Sequence, residues 1–317
     1  MQNIKNVLVT IDLNDIQKKE IENLMPNATF TYKRPGDVTK NEAQVAEIIL
    51  GNVYADKIEG SKNLKWLQLF TAGSERFHHV MPKDAILTNA TGSYGLGISE
   101  YMVGYVLMIM KKLHLYRDNQ NKALWKHEGE ILSIHGSKTL IIGLGDIGKE
   151  FGKRMKDLGS HVIGVKRTLS EKPDYVDELY LSEDIDMLLP KADIVAMALP
   201  DTKDTKKTLS KERIETLKEN AIIINVGRGT AIDTEALCDA VLERRILGAA
   251  LDVADPEPLP ENHRAWGIEN IFITPHISGG FNLKYTREKV ASIIVENFKA
   301  YAFGKELKNI VNLEVGY

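Results

Sequence analysis

Cysteine is nearly missing from this chain. The one thiol among 317 residues, Cys238, excludes an internal disulfide framework and any zinc site built on several cysteines. Long apolar runs are missing too. The longest, Tyr101 to Met110, is about half of what a bilayer crossing needs. Lys5 and then Asp12 interrupt the first apolar stretch before a signal-peptide h-region can form. Neither charge is in excess: 41 Lys+Arg against 44 Asp+Glu leave a net charge of −3. Such a balance creates no global field towards nucleic acid or anionic membrane. The neighbours His78 and His79 have no carboxylate cluster beside them, so no metal site is assigned. These absences predict a soluble, cytoplasmic protein with no nucleic-acid, membrane or metal partner.

What is present is ordinary globular material, 27% charged and 43% hydrophobic, long enough for about two domains. Short β-rich runs alternate with amphipathic stretches, the pattern of βαβ units and a parallel sheet. Val7-Leu8-Val9, Phe30, Ile48-Ile49-Leu50, Leu64 to Leu69 and Ile86-Leu87-Thr88 mark strands of a small open α/β unit over the first ~90 residues. Tyr101 to Leu115 reads as one long, largely buried helix linking two domains. A second series follows at 139–142, 162–163, 194–197, 222–224, 249–251 and 271–273. Its continuous apolar runs suit strands covered on both faces. Lys284 to Ala302 is again helical in spacing and is expected to return the chain to the first unit.

Thr139 to Ile142 leads directly into Gly143-Leu144-Gly145-Asp146-Ile147-Gly148, which opens a helix patterned on Ile147, Phe151, Met155 and Leu158 and ended by Gly159. Strand, G-x-G-x-x-G turn and helix together point to a dinucleotide-binding loop. Gly143 allows the tight turn, Gly145 the approach of a pyrophosphate, and Gly148 the close packing of helix on strand. The helix N-terminus, with Asp146 and Ile147 in its first turn, offers unpaired N–H groups to phosphate.

The next strand bears on the choice of dinucleotide. An NAD site places Asp or Glu about 20 residues on, against the ribose 2′-OH. Val162 to Val165 is followed instead by Lys166-Arg167-Thr168. Two cations and a hydroxyl suit a 2′-phosphate, and charge-assisted bonds to phosphate contribute ~1.5–3 kcal/mol each. The other reading of such a basic pair is a solvated loop end. The expected cofactor is NADP(H), with NAD(H) second.

Three late strands end in polar residues of unlike kinds: Asn225-Val226-Gly227-Arg228, Asp252 to Asp255-Pro256-Glu257-Pro258, and Thr274-Pro275-His276. Open α/β sheets bind ligands at strand carboxyl ends. Reduction of a 2-oxo acid needs a cation for the carboxylate, a proton donor for the carbonyl oxygen and a hydride source. An arginine fork and an imidazole, which titrates near neutrality, suit the first two.

Here the sequence resembles the D-isomer-specific 2-hydroxyacid dehydrogenases, through GLGDIG at 143–148, NVGRGTAID at 225–233, LDVADPEP at 251–258 and TPHISGG at 274–280. The resemblance implies a Rossmann-type doubly wound parallel sheet over 98–287. It also implies a smaller, flavodoxin-like α/β substrate domain made of 1–97 and 288–317. Arg228, Glu257 and His276 match the family's catalytic trio. Ala72 and Gly73 match its carboxylate-binding loop, Asp252 the nicotinamide side, Leu199-Pro200 the adenosine side, and Val226 a further cofactor contact. The implied activity is glyoxylate/hydroxypyruvate reductase-like reduction of a small 2-oxo acid to the D-2-hydroxy acid by a homodimer formed through the cofactor domain. A phosphoglycerate dehydrogenase-like enzyme and a dinucleotide-sensing, corepressor-type interaction protein are the alternatives.

Overall fold

A computed structural model describes residues 4–168, 170–280 and 283–313. The chain divides into one compact unit of Met1–Ser93 with Phe281–Tyr317 and another of Tyr94–Gly280. Both junctions fall a few residues before the 97/98 and 287/288 boundaries expected above. Residues 1–3 and 314–317 of the expected substrate domain lie outside the described residues.

In the first unit, β1 (Asn6–Val9), α1 (Asp15–Leu24), β2 (Thr29–Tyr32), α2 (Lys40–Val45), β3 (Ile48–Leu50), α3 (Ala55–Ile58), β4 (Trp66–Gln68) and β5 (Ile86–Thr88) follow in turn. Local signals set these elements. Asn14 accepts from the Gln17 amide, and Gln17 Oε1 accepts from the Asn14 amide, each at 3.0 Å, so α1 begins in a reciprocal cap. The strands pair in parallel in the order β2-β1-β3-β4-β5, the flavodoxin-like order. Leu8, Ile49, Leu67 and Leu87 fill one face together with Ile58, Leu64 and Val311. The last helix of the chain, Lys284–Ala302, packs into this unit through Val290, Ile294 and Phe298. Its Asn297 donates to Gln68 Oε1 at 2.7 Å, and its Tyr301 stacks on Trp66 at 4.9 Å. Beyond it, Ile310 bridges Thr88, so the tail is tied to the sheet edge.

The second unit opens with α4 (Gly95–Met110) and α5 (Leu113–Asn121) and continues through β6 (Lys138–Ile142), α6 (Asp146–Asp157), β7 (His161–Lys166), β8 (Glu178–Leu181), α7 (Ile185–Leu188), β9 (Ile194–Met197), α8 (Lys211–Glu215), β10 (Ile222–Asn225), α9 (Thr234–Leu242), β11 (Gly248–Leu251) and β12 (Ile271–Ile273). Its sheet runs β12-β11-β10-β9-β6-β7-β8, every pair parallel. Read from β6 outwards this is the Rossmann order, with β12 added at one edge. Since all strands point the same way, all their carboxyl ends lie along one edge. The order reverses between β6 and β9, which leaves a crevice there.

Two details differ from the sequence reading. The helix expected over 101–115 starts earlier, at Gly95, and breaks after Met110, where Lys112 takes a left-handed conformation (φ 55°) before α5. The helix packs on α6 within its own unit. An edge strand, β8, was also unforeseen, because its four residues are all half-buried and make no continuous apolar run.

Candidate active site

The dinucleotide loop is built by close approach. Gly143 has φ 103°, and a Cβ there would sit 2.6 Å from Ala198 O, while a Cβ on Gly148 would sit 2.0 Å from Gly143 O. Neither position admits a side chain. Gly145 differs, since a Cβ there would meet nothing within 4 Å. The space over Gly145 is therefore open to a ligand. Gly145 also caps α6 with no side-chain hydrogen bond, so the first-turn amides of Asp146, Ile147 and Gly148 keep the positive helix end available. The buried Phe151 and Met155 seat α6 on the sheet, and Gly159 ends it at φ 82°; Leu158 is exposed. This cradle fits a pyrophosphate.

Asp146 does not turn its side chain to that cradle. Its carboxylate accepts from the Tyr94 amide at 3.2 Å and the Gly95 amide at 2.7 Å, capping α4. Only its backbone N–H is left to the phosphate side. At the end of β7, Lys166 reaches Ser170 Oγ at 2.8 Å, and Arg167 and Thr168 are exposed. Leu199 lies close to two glycines: a Cβ added to Gly143 would sit 3.4 Å from its Cδ2, and one added to Gly227 would sit 2.6 Å from its backbone N. The Pro200 carbonyl accepts from Thr205 Oγ1 at 2.7 Å. Val226 is buried and extends the ladder through its amide to Met197 O at 3.1 Å, so it contributes backbone shape.

The three catalytic candidates leave adjacent strands: Arg228 follows β10, Glu257 follows β11 and His276 follows β12. Glu257 Oε2 lies 3.1 Å from His276 Nδ1, and both side chains remain partly open to solvent. Because a carboxylate accepts, this bond places a proton on Nδ1 and leaves Nε2 as the working nitrogen. The other Glu257 oxygen accepts from the Ala254 amide at 3.2 Å, which fixes the carboxylate's orientation. The Arg228 turn abuts this segment, since a Cβ on Gly229 would fall 2.0 Å from Ala254 C and 2.5 Å from Asp255 N. Arg228 Nη1 donates to Gly227 O at 2.7 Å.

Asn225, which the sequence reading passed over, organises that turn. Its Nδ2 donates to Arg228 O at 2.8 Å and its Oδ1 accepts from the Gly227 amide at 3.1 Å. An Asn placed directly after an apolar strand run is the usual sign of such a side-chain-to-backbone turn. Asp252, expected at the nicotinamide side, is only 1% exposed. Its Oδ1 accepts from Thr274 Oγ1 at 2.6 Å and the Ile277 amide at 3.0 Å, and its Oδ2 accepts from the Ser278 amide at 3.1 Å and from the Ser278 hydroxyl. The carboxylate thus holds the turn that carries His276. That turn needs holding, for His276 itself has φ 53°, a left-handed conformation that L-residues adopt at a cost of ~1–2 kcal/mol.

In the other unit, the loop after β4 is braced from several sides. Asn52 accepts from the Phe70 amide at 2.9 Å and donates to Thr71 Oγ1 at 3.2 Å. Thr71 Oγ1 donates to Gly73 O at 2.8 Å, and Asn89 Nδ2 donates to Ala72 O at 2.9 Å. The Thr71 carbonyl accepts from the Ala90 amide at 3.0 Å, so the carbonyls of the two peptides that carry the Ala72 and Gly73 N–H groups, Thr71 O and Ala72 O, are both occupied. Among the described residues no helix is long and apolar enough to cross a membrane.

Comparison with known proteins agrees with this geometry. Residues 103–278 match the family described as D-isomer specific 2-hydroxyacid dehydrogenase, NAD binding domain. A glyoxylate reductase of Thermofilum pendens is 29% identical over 84% of this chain and 80% of its own length. A D-3-phosphoglycerate dehydrogenase of Methanocaldococcus jannaschii is 28% identical over 82% of this chain but only 50% of its own. The crystal structure of a D-isomer specific 2-hydroxyacid dehydrogenase family protein from Aeromonas salmonicida superposes with a TM-score of 0.85 at 28% identity, covering 98% of this chain and 99% of that one. With a nicotinamide-dinucleotide cradle and the matched segments on one sheet edge, the chain belongs to the D-isomer-specific 2-hydroxyacid dehydrogenase family.

Proposed function

We propose that this protein is an NADPH-preferring reductase of small 2-oxo acids, forming the D-2-hydroxy acid in the manner of a glyoxylate/hydroxypyruvate reductase. The observation that carries the reading is the Glu257–His276 pair at 3.1 Å, delivered by the two strands that follow, side by side, the one that delivers Arg228. The residues placed to hold the dinucleotide are Gly143, Gly145 and the amides of Asp146, Ile147 and Gly148 at the pyrophosphate. Leu199, Pro200 and Val226 would flank it, and Lys166, Arg167 and Thr168 would take a 2′-phosphate. When bound, the reduced cofactor supplies hydride to the substrate's C2.

The side chains do the rest. Arg228 grips the substrate carboxylate with its guanidinium fork and leans on the carbonyl oxygen as negative charge develops there. Protonated His276 gives its Nε2 proton to that oxygen as the C2–O double bond becomes single, so the product, still a carboxylate, carries a neutral hydroxyl at C2. Glu257 keeps the proton on Nδ1 and fixes the ring's orientation, which leaves Nε2 for the transfer. The peptide N–H groups of Ala72 and Gly73 form an anion-binding turn for the substrate carboxylate.

The protein acts as a homodimer through the cofactor unit. Trp125 is fully exposed on the segment after α5, with Leu124 and Ile131 also exposed nearby, and such rings are commonly covered at interfaces. Light scattering should give twice the chain mass of 35.5 kDa.

The deciding experiment follows absorbance at 340 nm with glyoxylate, hydroxypyruvate, a branched 2-oxo acid and phosphohydroxypyruvate, each with NADPH and NADH. Turnover of a small unphosphorylated 2-oxo acid, with kcat/KM at least about tenfold higher for NADPH, is expected from one extra charge-assisted bond. Selective use of the phosphorylated acid would transfer the assignment to a phosphoglycerate dehydrogenase-like enzyme. Tight dinucleotide binding without turnover of any acid would favour the interaction protein.

A further inference from the structure

One chain of hydrogen bonds in the second unit starts on α4 and ends at the His276 turn. Tyr105 projects from the middle of α4, 7% exposed, with its ring tilted against Tyr101 at 6.0 Å. Its hydroxyl lies 2.7 Å from Thr274 Oγ1, and Thr274 Oγ1 in turn donates to Asp252 Oδ1 at 2.6 Å. A threonine hydroxyl has a single proton. Thr274 gives that proton to Asp252, so Tyr105 must be the donor to Thr274. Burial pushes the Tyr105 phenol up to about 12, so it keeps its proton at ordinary pH and the direction of the chain is fixed.

The far end of this chain is the backbone of His276. Its amide donates both to Asp252 O at 2.8 Å and to Thr274 O at 2.9 Å, and the Thr274 amide donates to Leu251 O at 3.0 Å. Both oxygens of the buried Asp252 carboxylate are taken up by Thr274, Ile277 and Ser278, the residues flanking His276 on either side. The left-handed backbone of His276 therefore rests on Asp252, and Thr274 is the link whose rotamer sets one side of the clamp. By donating to the Thr274 oxygen, the Tyr105 hydroxyl braces that rotamer from the side opposite Asp252.

We infer that Tyr105, acting through Thr274 and Asp252, is a positioning residue for His276: the α4 phenol sets the orientation of the imidazole against Glu257. The inference rests on the proposed role of His276 in the reduction. The Tyr105 hydroxyl bonds Thr274, and its effect passes through the 274–278 turn.

The test compares full-length Tyr105→Phe, Thr274→Ser, Thr274→Val and the Tyr105→Phe/Thr274→Val double variant, each checked for folding by circular dichroism. Tyr105→Phe, which keeps the ring and removes only the hydroxyl, should lower kcat about 3- to 10-fold, since sub-ångström misplacement of a reacting group is costly. KM for NADPH and for the 2-oxo acid should stay within about twofold, because uniform binding is untouched. Thr274→Val should lower kcat further, Thr274→Ser should restore it, and the double variant should be no worse than Thr274→Val alone. The second readout needs no turnover: the ¹⁵N signal of His276 Nδ1, which reports the bond to Glu257, should shift in Tyr105→Phe and Thr274→Val and stay in place in Thr274→Ser. Wild-type kcat together with an unmoved imidazole signal in Tyr105→Phe would overturn the inference, as would losses that multiply in the double variant. Should the wild-type protein reduce no 2-oxo acid, the functional reading falls, and the imidazole signal alone decides whether Tyr105 positions His276.

Discussion

On the function proposed above, the two sheets of this protein supply site groups in different ways. The seven-stranded sheet uses side chains: three adjacent strands end in Arg228, Glu257 and His276, and the glycine loop lies two strands beyond Arg228, after β6. The five-stranded sheet uses peptide groups, through a turn at Ala72 and Gly73 whose carbonyls are held by Asn89 and Thr71. Side-chain sites depend on residue identity and can be removed one atom at a time. A peptide site depends on bracing, and its loss is graded. That contrast teaches which substitutions should abolish the reaction and which should only weaken a complex.

The sharpest way to break the comparison is at the side-chain site. His276→Ala and Arg228→Ala should each lower kcat/KM by about 10³-fold or more, the range for a lost proton donor or a lost oxyanion contact. Dinucleotide affinity, measured by fluorescence titration, should stay near that of the wild type. Next comes the cofactor end of the same edge. Replacing Lys166 and Arg167 together by Glu should cut kcat/KM with NADPH about 10²-fold, from two lost phosphate bonds of ~1.5–3 kcal/mol each, and leave NADH nearly unaffected. Equal losses with both dinucleotides would show that these cations only stabilise the loop.

The peptide site should answer more softly. Asn89→Ala removes the brace on the Ala72 carbonyl at 2.9 Å and should raise KM for the 2-oxo acid about 3- to 10-fold with kcat little changed, as expected for weakened binding that is uniform along the reaction. The smallest effect is a control for folding alone. Asn14→Ala removes the α1 cap in the same unit and should lower unfolding free energy by about 1 kcal/mol in a denaturant titration, with kcat/KM unchanged.

Much of this was readable before any coordinates. Continuous apolar runs such as Ile222-Ile223-Ile224 marked the strands buried on both faces, and the helix limits Lys284–Ala302 were legible from spacing. The glycine loop was legible because its chemistry is local. Three features were not, each for a physical reason. β8 is an edge strand with half-buried residues and no periodic signature. The α4–α5 break falls at Lys112, whose left-handed backbone has no glycine to announce it. The bonds of the Asp252 carboxylate to Thr274, Ile277 and Ser278 were the third. Those partners lie more than 20 residues away in sequence, so only the pairing of β11 with β12 brings them together.

Asp146 carries a practical consequence. Re-engineering the cofactor preference of such a loop commonly begins with its variable positions, and residue 146 is one of them. In this protein its carboxylate is spent on the amides of Tyr94 and Gly95. Swapping in a basic residue to court a phosphate would strip the opening turn of a sixteen-residue helix of its cap, at a cost of ~0.5–2 kcal/mol. Libraries built at this loop would do better to keep the aspartate and to vary Leu144 or Ile147 instead.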